Sequence, residues 1–305
     1  MEAPWAVALK LLSSPMGTVV GGVPIWVGAA LAFSEARQFS AGRLLATFAG
    51  AVLVMGWLNL SNDAYDAETG VDVEKHESAV SRTGNRGAIL GLACLSLAAG
   101  AALFGSLMAY LGDARIPALL CAAVAVGYMY QGPPFRFSYR GWGEPMTVLA
   151  FSLSTACFYL VQAAVPSAPP AAFTPLVVAG SLLVGATTAI ILFCSHFHQE
   201  TVDRNAGKMS PIVRLGTARS AGVLKAAVVS TYAASMLLVT AGVFPLACAA
   251  VLPLTLGRAR KLIELVSDFH AVPLRIKPLK LLAAKWHSAF GLSFASAVLW
   301  HSFAA

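Results

Sequence analysis

Charge is what this sequence has least of. Charged residues fill 11% of its 305 positions, and only 14 of them are acids. Soluble domains carry roughly 25% charged residues, so a water-soluble globular domain is a poor reading. Paired cysteines are missing as well. Cys94, Cys121, Cys157, Cys194 and Cys248 fall in five different apolar runs with no C-x-x-C. They read as small hydrophobes, and nothing in them requires an oxidising compartment. No Ser-His-Asp or Cys-His nucleophile stands out, which argues against covalent catalysis by those groups.

What fills the chain instead is apolar. Hydrophobic residues make up 58% and the mean hydropathy is +0.73. Runs of about 20 apolar residues span a bilayer as helices. Nine are expected, at about 15–33, 41–61, 88–111, 115–131, 145–164, 173–197, 219–241, 243–261 and 282–303. The first lacks an A-x-A-like cleavage pattern and is kept as a span. The expected fold class is therefore all-α, a polytopic membrane protein forming a single domain over 1–305. With the N-terminus inside, only Arg37, Arg43 and Arg115 of the 21 basic residues lie outside. The positive-inside rule selects this topology. The net charge of +7 is then concentrated on one face, where it favours anionic lipid. The expected surroundings are a lipid bilayer, with no nucleic-acid partner.

The few acids cluster. "NLSNDAYDAETGVD", residues 59 to 72, holds Asp63, Asp66, Glu68 and Asp72, and Glu74 and Glu77 follow at once. The stretch closes the second apolar run on the basic face. Asn59, Asn62, Asp63 and Asp66 have the 0, 3, 4, 7 spacing that shares one helix face. His196, Gln199, Glu200 and Asp203 repeat it at the end of the sixth run. The match continues: Asp66 and Asp203 are each followed four residues later by a glycine, Gly70 and Gly207. Each loop then holds an Arg-x-Gly, at Arg82 and Arg214. This predicts two pseudo-repeated four-helix units plus a last helix, with two acidic helix ends facing each other.

Carboxylates and amides on facing helices suit a hard cation with oxygen ligands. Mg²⁺ binds through a few carboxylates, keeps waters, and completes its shell with substrate phosphates. Lys75, Arg82, Lys208 and Arg214 are suited to diphosphate oxygens, and Asn59 is grouped with them. Solvated interfacial charge is the plainer reading of either cluster. His196 and His198 point to different helix faces with no C-x-x-C near, which disfavours zinc. A secondary transporter also combines repeats with intramembrane acids, but its site lies near the bilayer midplane. Here the acids lie at helix ends beside basic loops.

The motifs resemble a known family. "NDAYDAETGVD" is similar to the first aspartate-rich motif of the UbiA superfamily of intramembrane prenyltransferases. "CSHFHQ", "AGKMSPIVRLGT", "YQGPPFRFSYRGWGE" and "SRTGNR" resemble its 1,4-dihydroxy-2-naphthoate branch. The resemblance implies nine transmembrane helices around a central cavity, with the two acidic motifs facing across it. It implies Mg²⁺-dependent transfer of a prenyl group, phytyl in the cyanobacterial and plastid members, from its diphosphate to 1,4-dihydroxy-2-naphthoate. The acceptor's carboxylate leaves as carbon dioxide, on the way to phylloquinone or menaquinone.

Carried over by residue, Asn62, Asp63, Asp66 and Asp72 match the first metal motif. Asp203 ends the second, with Gln199 where many members have Asp; Asp63, Asp66 and Asp203 are the catalytic acids. The loop after the fourth span, with Tyr128, Tyr130, Arg136 and Arg140, closes over diphosphate and acceptor. His196 and His198 are grouped with it. The Gly132-Pro133-Pro134 stretch in that loop reads equally as a rigid turn. Trp26, Phe48, Trp57, Phe151, Phe158 and Tyr159 line a prenyl cavity or simply pack. Gln199 faces the metal, the acceptor or the core. Homogentisate or chlorophyllide are alternative acceptors. The site face is expected on the cytoplasmic or stromal side.

Overall fold

The computed structural model describes residues 1–12, 15–69 and 78–304. Those residues fold as helices and turns, without strand. In chain order the α-helices are α1 Pro4–Leu12, α2 Pro15–Ala36, α3 Ala41–Thr69, α4 Ala79–Thr83, α5 Arg86–Leu111, α6 Arg115–Gln131 and α7 Gly143–Ala163. They continue as α8 Pro175–Ser195, α9 Glu200–Asn205, α10 Pro211–Leu215, α11 Thr217–Thr240, α12 Val251–Phe269, α13 Pro273–Ile276 and α14 Leu279–Ala304. Eight of the long ones overlap the expected apolar runs closely, whereas the run expected at 243–261 is displaced: residues 246–250 form a 3₁₀ turn and α12 begins only at Val251.

Five of these segments are long and apolar enough to cross a membrane: α3, α5, α7, the stretch Pro175–Asn205 that begins with α8, and α11. The other long helices are shorter or more polar. α6 has 17 residues, and α12 carries Arg258, Arg260, Lys261, Glu264 and Asp268.

The helix ends follow local chemistry. The Thr174 hydroxyl accepts from the Val177 N–H and Pro175 opens α8, an arrangement that satisfies one orphan donor where proline's missing N–H costs nothing. Asn85 caps α5 through the Ala88 N–H at 2.9 Å. Between helices, small residues allow close approach, as apolar surroundings favour. At Gly185 of α8 an added Cβ would strike the Val148 carbonyl and the Ser152 hydroxyl of α7. α3 packs on α5, α2 on α7 and α14, α7 on α6 and α8, and α12 on α14. Outward, Leu45, Leu95, Val229, Leu237 and Leu254 are each more than half exposed, an apolar rim suited to lipid. Cys157, Cys194 and Cys248 are buried, and all five thiols are free.

The two ends of the bundle differ. At one end gather the connections α3–α5, α6–α7, α8–α11 and α12–α14. The Tyr139 hydroxyl reaches Asp66, the Met209 N–H reaches the Tyr139 carbonyl, and α13 packs on residues 197–199. At the opposite end lie Arg37, Arg43 and Arg115, the three basic residues that the charge count set apart. Each is spent on backbone carbonyls. Arg43 donates to Val161, Gln162 and Ala164 at 2.9, 3.1 and 2.6 Å, satisfying the last carbonyls of α7. Arg37 donates to the Ser302 carbonyl. Arg115 donates to Ala171 at 2.7 Å and pairs with Asp113, whose carboxyl is held low by that guanidinium. A helix ending beside hydrocarbon has no water for its orphan carbonyls, and these guanidinium groups replace it.

Arg43→Met keeps the stem and removes the donors. Hydrogen bonds to charged groups are worth roughly 1.5–3 kcal/mol, so the purified protein should lose about that much stability and its Tm in detergent should fall. An unchanged Tm would show that α7 needs no such cap.

Candidate active site

The acidic face of the second apolar run is real. α3 continues unbroken past the apolar run to Thr69, so Asn59, Asn62, Asp63 and Asp66 keep helical register. Asn59 is exposed and Asn62 half-buried, while Asp63 and Asp66 are 7% and 5% exposed. Buried carboxylates need donors, and each has found one from another segment. Asp63 accepts from the Ala79 N–H at 2.8 Å, where α4 begins. Asp66 accepts from the Tyr139 hydroxyl at 2.7 Å. Asp72 and Lys75 lie outside the described residues.

The second motif is built differently from its expected helical face. α8 stops at Ser195, residues 197–199 form a 3₁₀ turn, and α9 restarts at Glu200. The Gln199 N–H bonds to the His196 carbonyl three residues back. This tighter turn breaks the 0, 3, 4, 7 register, so the four residues do not share a helix face. Glu200 turns aside to pair with Arg204, and Gln199 is half-buried in the turn beside His198. What the break does is fold His196 back on Asp203. The imidazole Nδ1 lies 3.0 Å from the Asp203 carboxylate, and both side chains are buried. Lys208 Nζ stands 3.7 Å from the other Asp203 oxygen, which accepts no hydrogen bond among the described residues.

Tyr139 joins the two motifs. Its hydroxyl binds Asp66 and lies 2.5 Å from the Thr69 hydroxyl, its carbonyl accepts from Met209 at 2.9 Å, and its ring sits 5.6 Å from the Lys208 ammonium. Burial, and then the Asp66 charge, push its phenol well above the ordinary range, so it stays a donor. Gly141 permits the approach. Its φ is +74°, and an added Cβ would lie 2.8 Å from the Met209 carbonyl.

The remaining expected residues divide. Tyr130 stands in the field of Glu144, Asp66, Asp203 and Tyr139, between the motifs. Arg136, itself at φ 43°, and Arg86 both hold Glu68. Tyr128 donates to the Pro133 carbonyl at 2.6 Å, and Arg140 lies over the Phe137 ring. These contacts make the loop after α6 a packed strap. Arg214 donates to the Met209 and Arg140 carbonyls, tying that strap to the second motif. Arg82 is not brought to Asp203. It makes a forked pair with Glu2, which also holds Lys10, on the side of α3 covered by α1. Arg82 and Arg214 still share a local design: each sits in a five-residue helix closed by a glycine at positive φ, Gly84 and Gly216.

Two residues were missed by the sequence reading, Tyr139 and Glu144. Both lie inside the phrase "YQGPPFRFSYRGWGE". An acid at the very start of an apolar run was a usable signal for Glu144. Nothing in the spacing distinguished Tyr139 from its neighbours.

Beneath this polar end opens an apolar cleft between α2, α3, α5, α6 and α7. Pro24, Met55, Trp57, Leu58, Phe104, Phe151 and Phe158 line it. Leu58 precedes Asp66 by two helical turns, about 12 Å at 1.5 Å per residue. Of the other aromatics considered, Trp26 and Phe48 face outward, and Tyr159 is buried with its hydroxyl on the Ala172 carbonyl.

Among the described residues no three of His, Cys, Asp or Glu converge into a closed metal cage. The donors present are carboxylate and amide oxygens, and one Asp203 oxygen is unsatisfied. That set fits a hard cation that takes part of its shell from water and phosphate. It does not fit one caged by protein alone.

The model of the UbiA prenyltransferase family matches residues 22–272. Two relatives are phytyltransferases by name. The chloroplastic 2-carboxy-1,4-naphthoquinone phytyltransferase of Arabidopsis thaliana is 38% identical over 272 residues, covering 88% of this chain and 71% of that protein. The 2-carboxy-1,4-naphthoquinone phytyltransferase of a Synechocystis species is 36% identical over 297 residues, 97% of this chain and 93% of that one. Among solved structures, a UbiA homolog from Archaeoglobus fulgidus bound to DMAPP and Mg²⁺ superimposes with a TM-score of 0.61 at 17% identity, over 95% of this chain and 99% of that one. A structure concerned with digeranylgeranylglyceryl phosphate synthase gives 0.63 at 13%, over 97% and 99%. At those identities the likeness is one of fold.

Tyr139→Phe keeps the ring beside Lys208 and removes the donor to Asp66. The buried carboxylate then loses a charge-assisted bond, and stability should drop by roughly 1.5–3 kcal/mol, read as a lower Tm. A variant as stable as the parent would mean that Asp66 is satisfied without Tyr139.

Proposed function

This chain belongs to the UbiA prenyltransferase family, and from that premise we propose that it transfers a phytyl group from its diphosphate to 1,4-dihydroxy-2-naphthoate. The observation that carries the substrate choice is the 36–38% identity, along most of the chain, to two naphthoquinone phytyltransferases. The nine long helices are proposed as nine spans, in two four-helix units plus α14. The polar end is proposed as the cytoplasmic or stromal face.

The chemistry follows from charge and dryness. An allylic diphosphate is stable until the charge on its leaving group is neutralised, and Mg²⁺ supplies that neutralisation when bound. Asp66 and Asp203, with Asn62, Asp63, Gln199 and Asp72, are the residues that would hold it. Lys208, with Lys75, Asn59 and the Arg214 loop, would aim donors at the diphosphate as negative charge develops. Arg82, engaged by Glu2, joins them only if that pair opens. The C–O bond breaks, diphosphate leaves with the electron pair, and the allylic cation remains in the apolar cleft, where water is excluded. The dihydroxy ring is electron-rich and attacks; the quinone form is electron-poor and would not. Loss of the acceptor's carboxylate as carbon dioxide then restores the aromatic ring. Lys208, 3.7 Å from Asp203, also offsets part of that buried carboxylate's charge.

Membranes carrying the protein, given Mg²⁺, the dihydroxynaphthoate and a panel of prenyl diphosphates, should yield the decarboxylated phytyl product by mass. Asp66→Asn and Asp203→Asn should each abolish it while the protein still inserts. Turnover only with homogentisate or chlorophyllide would replace the acceptor, and full activity in either variant would remove that acid from the mechanism.

A further inference from the structure

Among the described residues, each buried acid of the site receives at least one hydrogen bond, except one. Asp63 has the Ala79 N–H, Asp66 the Tyr139 hydroxyl and Asp203 the His196 imidazole. Glu144, in the first turn of α7, has no counterpart. Its side chain is 15% exposed, and neither carboxylate oxygen receives a hydrogen bond among the described residues. A carboxylate accepts up to four, and leaving a buried one without any is costly. The helix N-terminus favours the negative charge. The His196 imidazole stands close by, its Nε2 3.7 Å from Oε1. That is beyond hydrogen-bond length, and the other ring nitrogen is already turned to Asp203.

The surroundings say what the missing donor is. Glu144 stands one imidazole away from Asp203, so a molecule bound to it lies beside the acidic pair without displacing either. Tyr130 flanks the place. Its ring comes within 3.3 Å of a Cβ built on Gly143, as does Leu192, so the aromatic ring packs against the start of α7 beside Glu144. Two unpaired acceptors beside an aromatic face call for a planar molecule with hydroxyl donors. They do not suit a diphosphate, whose oxygens only accept and would be repelled.

We propose that Glu144 recognises the aromatic acceptor by accepting hydrogen bonds from its ring hydroxyl groups. The inference rests on the prenyl-transfer reading and deepens it, assigning a hydroxylated aromatic to a residue outside the acidic motifs. It gives the site a means of choosing the dihydroxy form. A site built to bond a substrate hydroxyl rejects the analogue that lacks it, because its own polar group is then left unpaired.

The test uses the purified full chain under reducing conditions. Binding of 1,4-dihydroxy-2-naphthoate and of 1-hydroxy-2-naphthoate is measured by calorimetry, without metal or prenyl diphosphate. Steady-state KM values follow for acceptor, prenyl diphosphate and Mg²⁺. The wild type should prefer the dihydroxy compound. Glu144→Ala should weaken its binding by roughly 10- to 100-fold and erase the preference. Glu144→Gln, which keeps one acceptor oxygen, should fall between. KM for prenyl diphosphate and the Mg²⁺ dependence should not move. Unchanged acceptor affinity overturns the inference. So does an equal loss for both substrates, which marks a folding role, or a shifted Mg²⁺ dependence, which marks a metal ligand. Absence of turnover in the wild type sinks the prenyl-transfer reading itself, and the inference with it.

Discussion

A buried carboxylate must have a donor, and in this chain that requirement organises one whole end of the molecule. Asp63, Asp66 and Asp203 are all nearly inaccessible. Each is answered by a group from a different connection: the start of α4, the strap after α6, and the turn after α8. Removing any one donor would leave a charge in a low-dielectric setting, which is expensive. The acids therefore hold the loops as much as the loops hold the acids. Tyr139 is the centre of this arrangement, since its hydroxyl, carbonyl and ring each touch a different part of it.

The opposite end solves a similar problem with the opposite charge. There the ends of α7 and α14 present carbonyls, and Arg43 and Arg37 answer them. Basic residues outside a membrane bundle look like noise in a topology count. Here they are caps. Between the two ends an apolar cleft runs along α3 as far as Leu58, about two helical turns before Asp66. A reaction through an allylic cation needs both a dense negative cluster for the metal and a compartment without water. On the proposed reading, apolar α3 ending in acids would supply the two on one helix.

The limits of sequence reasoning can be located residue by residue. Long apolar runs were legible because hydropathy over 20 residues is a bulk property, insensitive to neighbours. The α3 face was legible because that helix is unbroken and its period holds. The second face was misread because a three-residue 3₁₀ turn after Ser195 shifts the register, and no pattern in "CSHFHQE" announced it. The sequence did bring His196 and Asp203 into one motif, but their contact depends on that break. Arg82 and Arg214 matched as an Arg-x-Gly pair and do share a local helix design, yet their partners differ because α1 lies over only one of them. Tyr139 and Glu144 escaped because their importance arises from tertiary contacts between segments 52 to 73 residues apart, which periodicity does not carry.

The central claim is that the two acidic motifs serve one bound diphosphate, not two separate structural networks. A double-mutant cycle on equilibrium binding of a prenyl diphosphate in the presence of Mg²⁺ tests this most directly, with Asp66→Asn, Asp203→Asn and the pair. Groups acting on a shared ligand couple by more than about 0.5 kcal/mol, whereas independent sites add. The account predicts that the second substitution costs far less once the first is present. Losses that add within error would contradict it.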